Sequence, residues 1–244
     1  MSNKVQNYQK RCWKQYKAAI GYPEKRTYLY GTPIKVQVPL DTGTGGLFIV
    51  GAYPTAQFNT IGSLRDVPVG DHLYPFSNES YFDGSSVRSV RSGAELEDLY
   101  LRPLGVARSR CWITDLVKVF LFKEGHVDKY QALGVAKGLK EDRSKFIHYA
   151  SHPGSSAFLA EELELAAPKV VVLLGSEVAG VLLGGGANGT RWLTEQEHVL
   201  EMKGAQYRCF ACPHPGILMR NSAGSIKWKK MLDKQLPLIA RALA

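Results

Sequence analysis

Residues 46–55 read Gly-Leu-Phe-Ile-Val-Gly-Ala-Tyr-Pro-Thr, an apolar and β-branched run that stops at a Gly-x-x-Pro turn. A short continuous apolar run bounded in this way reads as a strand buried on both faces, as in parallel sheets. Ligands of open α/β sheets bind outside the carboxyl ends of the strands, so the turn at 51–55 is a candidate site. Three later segments repeat the pattern of an apolar strand running into polar residues: CWITDLVK (111–118), KVVVLLGSE (169–177) and RCFACPHPGILMRN (208–221). In a parallel sheet these four strand ends converge on one cleft.

Outward from these segments, strands are expected at 47–52, 111–115, 169–174 and 208–212. Helices are expected at 2–20, at 94–103 with Pro103 as its stop, over a polar region at 126–148, at 155–166, at 176–183 and at 224–243. Residues 56–92, rich in Gly, Ser, Asp and aromatics, read as one long irregular loop, a length that usually signals function. Strands alternating with helices imply an α/β fold with a central, mostly parallel four-stranded sheet covered on both faces. No Pro/Ser-rich linker divides the 244 residues, so one domain is expected, with a helical extension at about 1–45. A nucleotide-binding alternative rests on Leu174-Gly175-Ser176-Glu177 after a strand, but G-x-G-x-x-G is absent and Gly184-Gly185-Gly186 falls after the helix.

The 31 Lys and Arg against 22 Asp and Glu give a net charge of +9, which favours a polyanionic partner. Basic and aromatic residues mix at Lys10–Lys17 and Lys227–Lys230. These stretches suit phosphate contacts with stacking, or form solvated helix faces with Trp13 and Trp228 turned into the core. The longest apolar stretch is interrupted by Ser176 and Glu177, and the N-terminus has no apolar signal region. No membrane segment is therefore expected, and the protein is read as cytoplasmic and monomeric. Cys12, Cys111, Cys209 and Cys212 are expected to be reduced, buried thiols. Cys209-x-x-Cys212-x-His214 lacks the second ligand pair of a structural zinc site, so neither metal nor cofactor is expected.

In order and residue type the four segments resemble the uracil-DNA glycosylase superfamily. There, a strand ending in G-x-x-P is followed by one ending in T-N-x-V-K, then by P-x-x-x-x-x-L-G, then by an H-P-S/G loop. The likeness covers roughly residues 45–225 and implies a three-layer α/β/α sandwich acting on DNA as a monofunctional glycosylase. Such an enzyme flips a nucleotide, breaks its N-glycosidic bond and leaves an abasic site. Some members carry an iron–sulfur cluster on four cysteines, but the cysteine spacing here differs.

The resemblance also implies roles. His214 matches the histidine that donates to the charge developing on base O2. Pro215 and Gly216 follow it, then an apolar loop with Leu218 or Met219 as the wedge filling the gap in the duplex, and Arg220 and Asn221 on the DNA. Phe76, in Leu73–Asn78, stacks on the flipped base. Gly51, Ala52, Pro54 and Thr55 wall the base site, with Tyr53 near C5 of the base. Tyr53 stands where many members place an Asp or Asn that activates water, and residues 51–55 contain no carboxylate. Asp71, Glu79 and Asp83 are substitutes, Asp71 first because the Val69-Gly70-Asp71 turn could aim it inward. Lys118 is carried over as a DNA contact.

Asp115 takes the place of the Asn that reads O4 and N3–H of uracil. A carboxylate only accepts hydrogen bonds, so it suits the exocyclic amino group of cytosine better than O4. Removing ordinary cytosine would destroy the host genome. A modified cytosine, as in phage DNA, is therefore the expected substrate, with defence against phages as the setting. Alternatively Asp115 is a cap or a partner of Lys118. Repair of uracil, with Tyr53 and Asp115 merely tolerated, and a DNA-binding module without catalysis are the competing functions.

Overall fold

The computed structural model describes residues 3–135, 139–186, 188–219 and 222–244. Helix α1 (Asn3–Ala19) places Tyr8, Cys12 and Tyr16 on one fully buried stripe, four residues apart. Trp13 is one residue off that stripe and is 56% exposed, not in the core as its expected alternative had it. A long connector then reaches β1 (Leu47–Gly51).

Residues 56–92 are not one irregular loop. They form two antiparallel hairpins, β2 (Ala56–Ile61) with β3 (Leu64–Asp71) and β4 (Ser80–Phe82) with β5 (Val87–Ser89). Most of their residues are half-buried or exposed, so they lack the apolar runs that mark the central strands. The helix expected at 94–103 begins earlier, as α2 (Arg91–Leu96), and widens into a π turn at Glu97–Leu101 before α3 (Arg102–Leu104). Pro103 lies inside α3 and does not end it; the stop is Gly105 in a left-handed conformation.

Strand β6 (Cys111–Asp115) is followed by α4 (Glu124–Ala132), α5 (Phe146–Ala150) and α6 (Pro153–Ala166). The region expected to be helical over 126–148 is thus a shorter helix, a connector and a separate turn of helix. Then come β7 (Val170–Leu174), α7 (Ser176–Leu182), β8 (His198–Met202), β9 (Ala205–Cys212), α8 (Pro215–Leu218) and α9 (Ala223–Leu243).

The central sheet has five strands in the order β6-β1-β7-β9-β8, not four. The four expected strands are its parallel members, and β8 is an antiparallel edge paired with β9. Only Leu200 of β8 is buried, which leaves no apolar run to read. Alternate residues of β1 serve opposite layers. Phe48 and Val50 join the core under α1 and α6, while Leu47 and Ile49 join the core under α2 and α9. This is a three-layer α/β/α arrangement. No helix among the described residues is long and apolar enough to cross a membrane.

Candidate functional site

The carboxyl ends of β1, β6, β7 and β9 open into one cavity of about 710 Å³. Tyr53 and Thr55 line it after β1, Asp115 at the end of β6, Glu177 after β7 and His214 after β9. Parallel register sets the geometry: Gly51 is the partner of Asp115, the last pair of the β1–β6 ladder. A Cβ on Gly51 would collide with both Asp115 Oδ1 and the Phe76 ring, so the missing side chain is what admits them.

Asp115 is 2% exposed, and burial pushes its carboxyl up to about 7, with Glu162 adding to the rise and Lys118 opposing it. Near neutral pH a good share of this group is therefore a carboxylic acid, with one O–H to donate and one oxygen to accept.

His214 caps α8. Its Nδ1 accepts the Gly216 N–H at 3.1 Å, which leaves the proton of the neutral ring on Nε2. Burial holds its pKa below the ordinary histidine value, with Glu177 opposing. The result is a fixed neutral donor. His152-Pro153-Gly154 builds the same cap on α6, with Nδ1 accepting from Gly154 at 3.1 Å, but away from the cavity. The cap is thus a local device of the His-Pro-Gly sequence, and position at a strand end is what separates the two.

Phe76 holds a left-handed backbone, φ 52°, and its ring lies 6.3 Å from that of His214. Pro54 and Ala52 complete the near wall beside Tyr53. Ser77 also lines the cavity, and its buried Oγ has no hydrogen-bond partner among the described residues. A buried hydroxyl without a partner is costly unless a ligand or water satisfies it.

Several expected site residues lie elsewhere. Asp71 accepts from the Tyr28 hydroxyl at 2.7 Å and from Lys35 N–H at 2.8 Å, which turns it away from the cavity. Glu79 bonds His72 Nδ1 at 2.7 Å, and Asp83 holds the turn at Ser85 and Ser86 and pairs with Arg88. Lys118 is not on the surface, where a DNA contact would have to be. It is 1% exposed, its Nζ lying 2.7 Å from Glu162 and donating to Thr114 Oγ1 at 2.6 Å. Leu218 is fully buried, because α8 turns it into the core. The exposed apolar residues of that turn are Met219 and Ile217, and Ile217 borders the cavity. Pro215 is buried under the His214 cap and Gly216 faces the cavity. Arg220 and Asn221 lie outside the described residues.

Arg143 and Glu177 line the cavity although no role is expected for either from the sequence. Arg143, before α5, holds both carboxylate oxygens of Glu177 and lies 4.9 Å over the Tyr53 ring. Glu177 directly follows the Leu-Gly-Ser of the third segment, which was the only signal for it. The four cysteines are free and buried, and burial pushes Cys12, Cys111 and Cys209 up to about 12. Among the described residues no group of three or more His, Cys, Asp and Glu side chains is arranged to hold a metal ion.

A family model described as the uracil DNA glycosylase superfamily matches residues 45–237. No curated protein matches the chain.

Proposed function

This chain belongs to the uracil-DNA glycosylase superfamily, and from that premise we propose that it is a monofunctional DNA glycosylase. Its substrate in this reading is an amino-bearing pyrimidine, a modified cytosine such as phage DNA carries, and its product is an abasic site. One observation carries the substrate: the carboxyl of Asp115 lines the cavity and is almost fully buried, which favours its neutral form.

In its neutral form Asp115 fits the N3/N4 edge of cytosine, donating to N3 and accepting from the amino group. It also does chemistry there. As the C1′–N1 bond breaks, the electron pair moves into the base. The proton of Asp115 passes to the N3 lone pair, so the base departs neutral. Uracil already bears a hydrogen on N3 and has no lone pair there to protonate. His214 Nε2–H stabilises charge on O2, which both pyrimidines share. Phe76 supplies the stacking face, and Tyr53 faces C5, where a substituent would sit. The unpartnered Ser77 hydroxyl offers a further hydrogen bond to the base or its substituent.

A uracil-excising reading has one observation in its favour. A neutral carboxyl can also donate to O4 and accept from N3–H, so Asp115 does not repel uracil as a carboxylate would. The test is a panel of oligonucleotides carrying uracil, cytosine or 5-hydroxymethylcytosine, with phage DNAs bearing larger cytosine substituents, scored for abasic sites. Modified-cytosine DNA should be cut most. Preference for uracil selects the repair reading, and no abasic site on any DNA rejects glycosylase activity.

A further inference from the structure

Hydrolysis of a glycosidic bond needs more than Asp115 and His214 provide. When C1′–N1 breaks, positive charge builds on the sugar, and the incoming water must lose a proton as it bonds to C1′. The turn at 51–55 has no carboxylate. Asp71, Glu79 and Asp83 are all engaged with other partners.

Among the described residues two carboxyl groups line the cavity, Asp115 and Glu177. Their surroundings differ. Asp115 is sealed at the floor. The Glu177 side chain is 39% exposed and is gripped by a guanidinium. A sealed carboxyl and a solvated, ion-paired one in the same cavity can take different parts in a proton transfer.

Position agrees. Glu177 lines the same cavity as Tyr53 of the β1 turn, Gly175 at the end of β7 and His214, and the Arg143 that holds it lies over the Tyr53 ring. Gly175, with φ 96°, makes the sharp turn out of β7 that brings Glu177 there. Arg143 fixes the carboxylate while its own plane is fixed over Tyr53 at 4.9 Å and Phe146 at 5.1 Å.

Resting on the glycosylase reading, we propose that Glu177 is the catalytic carboxylate that takes the proton of the attacking water and faces the cationic sugar, with Arg143 and Tyr53 as its positioning residues. The C1′–N1 bond breaks and its electron pair leaves with the base, which takes the Asp115 proton at N3. Water oxygen bonds to C1′, its proton passes to Glu177 and then to solvent, and Asp115 regains a proton from solvent. The net reaction consumes one water and no other reactant.

The test compares wild type, Glu177→Gln and Glu177→Ala in single turnovers on the best-cleaved DNA of the panel above. Base release by Glu177→Gln should slow by about 10²-fold or more, a typical loss for a general base, with binding to abasic DNA unchanged. Azide attacks C1′ with no proton to lose. It should therefore restore release by Glu177→Ala and leave a sugar azide, which a residue that only braces Arg143 would not permit. Wild-type rates in Glu177→Gln, failure of azide to rescue Glu177→Ala, or loss of abasic-DNA binding in both variants would each overturn the role of Glu177 and leave the glycosylase reading standing. A wild-type protein that releases no base from any DNA overturns both.

Discussion

Asp115 Oδ1 occupies the space that a side chain on Gly51 would need. The two residues are lateral partners at the ends of adjacent parallel strands, and the Phe76 ring crowds the same point. Asp115, Phe76 and Gly51 therefore form one packing unit.

Gly51→Ala should then act as overpacking in a buried site, costing about 1–3 kcal/mol of stability. Its larger effect should be on base release, since relief requires Asp115 or Phe76 to move. Urea unfolding and single-turnover rates measured together check this. A variant with full activity would show that the contact can relax without disturbing the site.

His214→Ala should slow base release by roughly 10²–10³-fold, the usual cost of a lost oxyanion donor, while DNA affinity stays nearly unchanged because the charge it meets appears in the transition state. Burial lowers the pKa of this histidine, so the ring stays neutral to lower pH than an ordinary histidine. Wild-type activity should accordingly hold as pH falls through about 6.5, the ordinary histidine value, and its loss at that pH would mean that the imidazolium forms early.

Lys118 yields a different kind of prediction. Its pair with Glu162 is almost fully buried, and the Tyr8 hydroxyl of α1 donates to the same carboxylate. Removing one partner leaves the other charge buried alone, so Lys118→Ala should lose about 3–5 kcal/mol of stability. The paired change Lys118→Met with Glu162→Leu should recover most of it. Chemical denaturation decides between this and the surface role, under which Lys118→Ala would weaken DNA binding and leave stability intact.

What the sequence discloses follows burial. β1, β6 and β7 are buried along their whole length and β9 over its second half, so each reads as an apolar run, and the polar residues at their ends meet in one cavity. The hairpins at 56–89 and the edge strand β8 are solvated on at least one side and carry no such run. His214 and Asp115 are legible as cavity residues because Asp115 ends a buried strand and His214 stands two residues after one. Asp71 lies off the cavity because a turn fixes where a chain reverses and not which way a side chain points, and Tyr28 decides that from far along the chain. Lys118 reads as a surface cation by type. Its acidic partner lies on α6, at a separation no local pattern can express. Arg143 stands in a connector with no periodicity, and only the fold brings it to Glu177.

The Asp115 carboxyl supplies the last prediction. Its pKa is raised to about 7 from an ordinary aspartate value, by burial first and Glu162 second. With the folded value above the unfolded one, the neutral form favoured by the fold is fully present at low pH and is lost as pH rises through about 7. If the acid form protonates N3, release of an amino-bearing pyrimidine should fall with rising pH across that range, and release of uracil, which takes no proton at N3, should follow a different profile. Asp115→Asn removes the proton. The variant should lose this alkaline limb and slow on modified cytosine by at least about tenfold, while keeping or gaining uracil activity, because an amide can donate to O4 and accept from N3–H. It should also unfold at a higher temperature than wild type at alkaline pH, where wild type must bury a charge, and the gap should narrow in acid. Rates on matched uracil and 5-hydroxymethylcytosine oligonucleotides, at about pH 6 and about pH 9 on either side of that pKa, give the answer. Equal pH profiles on the two bases, or an unchanged ranking in Asp115→Asn, would make Asp115 a structural residue and return the substrate to uracil.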